Sequence, residues 1–157
     1  MRILGIDPGT GILGFGVIDY KKGAYTMVTA GVITTPAHTP LTERLEEIYD
    51  GLTDIIRETR PTVASIEKLF FARNVTTAMS VSHARGVAML AAHKNALTIA
   101  EYTPLQIKQT LTGYGKADKK QVQEMVRLQL KLKTAPKPDD AADALAAAIT
   151  YALMSRV

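Results

Sequence analysis

Four carboxylates occupy positions where a lone negative charge is hard to keep: Asp7, Glu67, Asp140 and Asp143. Asp7 closes the apolar run of residues 2–7, and a buried charge is costly unless it is paired or bound to a cation. Its ordinary alternative is a turn aspartate for the Pro8-Gly9 loop. Glu67 follows Val63, Ala64 and Ile66, where a strand-end glutamate could equally turn to solvent or pair with Lys68. Asp140 and Asp143 are three residues apart and share one helix face, while Asp139 points about 100° away and reads as a cap or helix-dipole partner. Two carboxylates ~6 Å apart repel by roughly 3 kcal/mol at an effective dielectric of ~20. A helix amino terminus offsets only ~0.3–1 kcal/mol per charge, so this pair invites a cation. Oxygen donors suit Mg²⁺ or Mn²⁺ rather than zinc. Four of them can hold two ions ~4 Å apart, the clamp used for phosphodiester hydrolysis. With no cysteine and three scattered histidines, His38, His83 and His93, other hydrolytic chemistries lack their parts.

The elements that must position these acids follow from the apolar periodicity. Residues 2–7 read as a buried central strand. After the Pro8-Gly9-Thr10-Gly11 turn, residues 12–20 form a second strand, and Lys21-Lys22-Gly23 turns into a third at 24–33. Pro36 and Pro40 bracket a loop. Thr42 is expected to cap a helix carrying Leu45, Ile48, Leu52, Ile55 and Ile56 and ending near Arg60-Pro61. Strands at 62–68 and 97–103 flank a long helix at 74–95. Pro104 opens a short helix to Leu111, the Gly113-Tyr114-Gly115 loop follows, and a helix spans 118–131. Past Pro136 and Pro138, an alanine-rich helix runs from Asp139 to Met154. The order predicts an α/β fold with a five-stranded mixed sheet. Strands 1–3 are antiparallel, strands 1, 4 and 5 are parallel, and helices cover both faces. Parallel strands 1 and 4 bring Asp7 and Glu67 to one edge, the carboxyl ends where such sheets place their sites. The small side chains of the last helix let it approach closely and add Asp140 and Asp143.

Composition sets the frame. The 157 residues carry a formal charge of +4, 46% hydrophobic and 22% charged side chains, which fits one globular domain over residues 1–157 and argues against disorder. No apolar run is long enough to span a membrane, and the amino end lacks the apolar stretch of a signal peptide, so a cytoplasmic protein is expected. Residues 103–137 hold eight basic side chains, Lys116 and Lys120 among them, against the two acids Asp118 and Glu124. A basic stretch on a near-neutral body marks a polyanion-binding face, although a solvated helix surface reads the same. Residues 84–92 are small and apolar nearly all round, so that helix has a second face to bury.

The motifs GIDPGT, IEKLFF, HARGVAMLAA, QIKQTLTGYGKADKKQV and DDAADALAAAIT, in this order over essentially the whole chain, resemble the RuvC Holliday-junction resolvases. The resemblance implies a ribonuclease-H-like fold. It also implies a homodimer that nicks two opposed strands of a four-way DNA junction in recombination and repair, with divalent metal and a branch-migration helicase complex of the RuvA and RuvB type. Position by position, the family's metal-binding acids fall on Asp7, Glu67, Asp140 and Asp143, although some relatives have histidine at the place of Asp140; Asp139 has no role in the pattern. The family's basic residues near the cut strand fall on Lys108 and Lys119, with Lys120 adjacent to the second and Lys116 nearby. Phe70 matches an aromatic that stacks on an unpaired base, worth ~1–3 kcal/mol, while Phe71 reads as core. Rival readings are a related nuclease for RNA or linear DNA, an actin-like ATPase sharing the Asp-x-Gly-Thr turn, for which the chain is short, and a junction-binding module with a dead site.

Overall fold

In the computed structural model residues 1–69 and 75–155 are described. Strand β1 (Arg2–Asp7) is buried from Ile3 onward, as expected for a central strand with neighbours on both edges and helices on both faces. It pairs antiparallel with β2 (Ile12–Lys21) and parallel with β4 (Val63–Glu67). Strand β3 (Ala24–Thr34) extends the antiparallel side and β5 (Thr98–Tyr102) the parallel side, giving the order β3-β2-β1-β4-β5. The β2–β3 turn is tight: Lys22 and Gly23 both take left-handed backbone angles, φ 50 and φ 84, the geometry whose twist matches a two-residue hairpin.

Helices α1 (Leu41–Thr59) and α2 (Val75–Lys94) cover one face, where Leu4, Ile6, Leu13, Ile48, Leu52, Ala84 and Ala88 pack together. Helices α3 (Pro104–Thr112), α4 (Lys119–Gln129) and α5 (Asp139–Met154) cover the other, around Ile3, Ile18, Val126, Leu145 and Ile149. The expected strand order, directions and two-faced cover are all present. Two caps differ from expectation. Helix α1 starts at Leu41, with Pro40 as its cap residue and no side-chain bond. The proline ring holds φ at −54 and the chain turns there, leaving Thr42 inside the first turn. Asp139 likewise lies inside the first turn of α5, behind Pro138, and caps nothing.

The contact that sets the site is backbone on backbone. A Cβ added at Gly5 of β1 would lie 1.8 Å from the Ala144 carbonyl oxygen, and one at Gly14 of β2 would lie 2.0 Å from the Asp140 carbonyl oxygen. Helix α5 therefore rests directly on the strands at these two points, with Ala144 and Ala148 over Gly5, while the larger Leu145 finds room over Gly16 of β2. The Ser65 hydroxyl of β4 donates to the Ala147 carbonyl at 2.6 Å and ties a third strand to the same helix. Gly5→Ala is expected to destabilise the chain by about 3 kcal/mol or more, the upper range for overpacked cores. Urea unfolding measures this, and an unchanged midpoint would show that α5 is free to shift.

Candidate active site

The parallel register pairs Ile6 with Ile66, so the next residues, Asp7 and Glu67, emerge side by side where β1 and β4 end. Asp7 is 8% exposed. Burial and the neighbouring carboxylates push its carboxyl up to about 9, and burial raises Glu67 to about 7. The two are hydrogen-bonded. That contact raises Asp7 and lowers Glu67. On the other side of β1, Asp7 pairs with Gly14, the residue on which the backbone of Asp140 rests. The close approach of α5 thus brings Asp140 and Asp143 to Asp7, and the charges of both raise its carboxyl.

Cations answer this concentration of acid. Asp118 caps α4 in a reciprocal box with Gln121, each side chain bonded to the other's backbone N–H at 2.8 Å. That fixes Lys119 as the first residue of the helix. Its Nζ lies 3.4 Å from Asp143 Oδ2 and 3.7 Å from Asp139 Oδ2. Burial raises the Asp143 carboxyl while Lys119 opposes the rise. Partial burial works against the Lys119 charge, but Asp143 and Asp139 outweigh it and hold the ammonium above its ordinary value. Lys108 on α3 adds a second positive charge that lowers Glu67. Glu67, Lys108, Lys119 and Asp143 share a cavity of about 270 Å³, walled on its apolar side by Leu69, Ile107 and Val122.

All four predicted carboxylates converge, and Lys108 and Lys119 converge with them. Between the adjacent lysines, Lys119 faces the acids, whereas Lys120 lines a neighbouring groove. Lys116 is exposed and does not line the cavity. Phe70 and Phe71 lie outside the described residues. Sequence reasoning read Asp139 as a cap or helix-dipole partner, and its place in the first turn of α5 fits the second; it also accepts from Gln123 Nε2 at 3.0 Å and is the second partner of Lys119. Sequence reasoning missed the ion pair between Arg85 of α2 and Glu101 of β5, in which Arg85 Nε and Nη2 donate to the two carboxylate oxygens at 2.5 and 2.7 Å. The Asp118-x-x-Gln121 box is a legible signal for the start of α4; a pairing between distant elements such as Arg85 and Glu101 leaves none.

Comparison with known proteins follows the same line. The profile of a family described as "Crossover junction endodeoxyribonuclease RuvC" matches residues 3–151. The chain belongs to the RuvC family. It is 53% identical to the crossover junction endodeoxyribonuclease RuvC of Chloroflexus aurantiacus over 152 residues, 97% of this chain and 93% of the relative. It is 51% identical to that of Desulforamulus reducens over 155 residues, 99% and 95% of the two chains. Among solved structures, Thermus thermophilus RuvC in complex with Holliday junction substrate superposes with a TM-score of 0.95 at 37% identity, covering 99% of this chain and 95% of that one. The fold is the ribonuclease-H-like fold of that family.

RuvC proteins are metal-dependent nucleases, and the donor chemistry here fits a hard divalent cation. The carboxylates are buried, close enough to raise one another, and offer only oxygen. Among the described residues no three acidic or histidine side chains stand ready-made as an ion cage. In the present arrangement Asp7 is hydrogen-bonded to Glu67, and Asp143 is paired with Lys119. Each partner would have to yield to a metal ion.

A pH dependence of stability follows. Asp7 and Glu67 bind protons more tightly in the folded chain than in the unfolded one, so without divalent ions stability falls as pH rises from about 5 to about 9. Melting temperature in chelator across that range checks the slope. Asp7→Asn is expected to flatten it and to melt a few degrees above the wild type near the alkaline end, and divalent ions are expected to restore the wild type there.

Proposed function

We propose that this chain resolves four-way (Holliday) DNA junctions in recombination and repair, nicking two opposed strands symmetrically by phosphodiester hydrolysis. The observation that carries the reading is the convergence of four carboxylates and two lysines on one sheet edge, in a fold whose solved relative is in complex with Holliday junction substrate. Asp7, Glu67, Asp140 and Asp143 would hold Mg²⁺, or Mn²⁺, as two ions per site. Such ions, when bound, lower the pKa of attacking water and neutralise charge developing on the phosphate and leaving 3′ oxygen.

The remaining work belongs to the chain. Lys119, still held by Asp139 where Asp143 would serve a metal ion, would offer its ammonium to the scissile phosphate. Lys108 steadies the backbone beside it. Helix α5 fixes Asp140 and Asp143 relative to Asp7 because its backbone has no slack against the strands, so the reacting groups are oriented before DNA arrives. Lys116 and Lys120 extend the positive charge along the strand, and Phe70 is assigned to stacking at the crossover by the resemblance.

Residues 1–157 are read as a single nuclease domain working as a homodimer, since two nicks in opposed strands require two sites related by the symmetry of the junction. Supporting this is the outer face of α2, where Val75, Met79 and Leu90 are exposed along with Gly86, beside which there is open space. An apolar stripe of this kind suits an isologous interface. The reading also includes a branch-migration complex of the RuvA and RuvB type and action in the cytoplasm; no helix among the described residues is long and apolar enough to cross a membrane.

Cleavage of four-way junctions with each strand labelled in turn, with and without Mg²⁺, tests the whole proposal. Paired nicks confined to opposed strands and dependent on the ion are expected; equal cutting of linear duplex would overturn it. Asp7→Asn is expected to bind junctions normally while cutting at least about a hundredfold more slowly, the loss of several kcal/mol of metal-assisted stabilisation. Leu90→Arg is expected to yield monomers by light scattering, with single rather than paired nicks.

A further inference from the structure

Tyr114 sits on the loop between α3 and α4 with 57% of its surface exposed. A single exposed aromatic is unremarkable by itself. Here the backbone beneath it is held on both sides. Its amide donates to the Thr112 hydroxyl at 3.0 Å, and its carbonyl accepts from the Ala117 amide at 3.1 Å. The Gln109 side-chain amide donates to the Gly113 carbonyl at 3.1 Å, and Gly113 closes α3 in a left-handed conformation with φ 75. Gly115 lies so near Leu105 that an added Cβ would come within 2.7 Å of Cδ1. The loop backbone beneath the ring is therefore held before anything binds, which leaves only the ring's own two side-chain torsions to be ordered by a stack.

Its surroundings say what it would stack on. Tyr114 and Lys120 line an open groove of about 440 Å³ with Met125. Ala117 and Asp118 line both this groove and the active-site cavity, so the two spaces adjoin. Lys116, Lys119 and Lys120 flank the ring in sequence. Of the two acids that line the groove, Asp118 is engaged in capping α4 and Glu124 is paired with Arg127 at 2.6 Å. An aromatic face beside lysines is the combination that binds a nucleic-acid strand, bases on the ring and phosphates on the ammonium groups.

We propose that Tyr114 is a stacking contact for the DNA strand that runs out of the active-site cavity over Asp118 and Lys119. The assignment rests on the junction-cutting reading and extends its DNA path beyond the acids and Phe70. It makes Tyr114 a binding and positioning residue and leaves the chemistry to the cavity.

The chain has no tryptophan, so Tyr114→Trp places one reporter on the loop. Its emission is expected to be quenched as four-way junction is titrated in. Tyr114→Ala is expected to weaken junction binding by between about fivefold and a hundredfold, the range for loss of one base–aromatic stack. Its log-affinity against log-salt slope should match the wild type, since no charge has been removed. Tyr114→Phe, which keeps the ring, is expected to bind within about twofold of wild type. Binding assays are accompanied by melting curves, which are expected to show all three variants folded because the side chain is exposed. An unaltered emission at saturating junction, or Tyr114→Ala binding like wild type, overturns the assignment. A wild-type chain that binds no junction overturns the junction reading itself, and this inference with it.

Discussion

Helix α5 lies on β1 and β2 with almost nothing between the two backbones, and the site depends on that approach. Where most helices rest on a sheet through layers of leucine and valine, this one meets glycine with alanine. Any Cβ at Gly5 or Gly14 would collide with a carbonyl of the helix. The consequence is electrostatic. Because Asp140 rides over Gly14, and Gly14 is the strand partner of Asp7, the first turn of α5 is pressed against the end of β1 and its two acids cannot drift apart from Asp7 and Glu67. The packing of the core and the charge density of the site are one feature seen at two levels.

Concentrating four carboxylates in a partly buried corner opposes folding, and the chain meets that opposition locally. Asp7 and Glu67 are hydrogen-bonded, an ammonium group sits on Asp143, and a second lysine lowers Glu67. Each of these can give way to a divalent cation, so the metal-free state is held together by groups that have later work to do. The modest formal charge of +4 is in this light a balance between an acidic corner and the basic stretch of residues 103–137 that borders it. That stretch folds as α3, the Tyr114 loop and α4, and its lysines divide among cavity, groove and open surface instead of forming one uniform patch.

Much of this was legible in advance because the signals were local. The continuous burial of β1, the two-residue turn at Lys22-Gly23 and the proline and capping signals placed the elements and predicted the strand order. The four acids stood out because each contradicted its surroundings. The misplaced caps at Thr42 and Asp139 share one cause: a proline immediately upstream, Pro40 or Pro138, turned the chain first. Where two adjacent residues offered the same chemistry, as with Lys119 and Lys120, sequence could not choose between them. The Asp118–Gln121 box settles which one begins the helix and faces Asp143.

By itself the sequence determined the fold class, the family and the identity of the acids, because periodicity, turn residues and residue types out of place are properties of a few neighbours at a time. Only the tertiary structure decided how the site is charged. The contact between Asp7 and Glu67, the recruitment of Asp139 as a second partner of Lys119, the Arg85–Glu101 pair and the adjoining groove under Tyr114 all join residues from different elements. Their energies depend on distance and burial, which vary steeply over a few ångströms, and those distances exist only once α5 has settled on the glycines of the sheet.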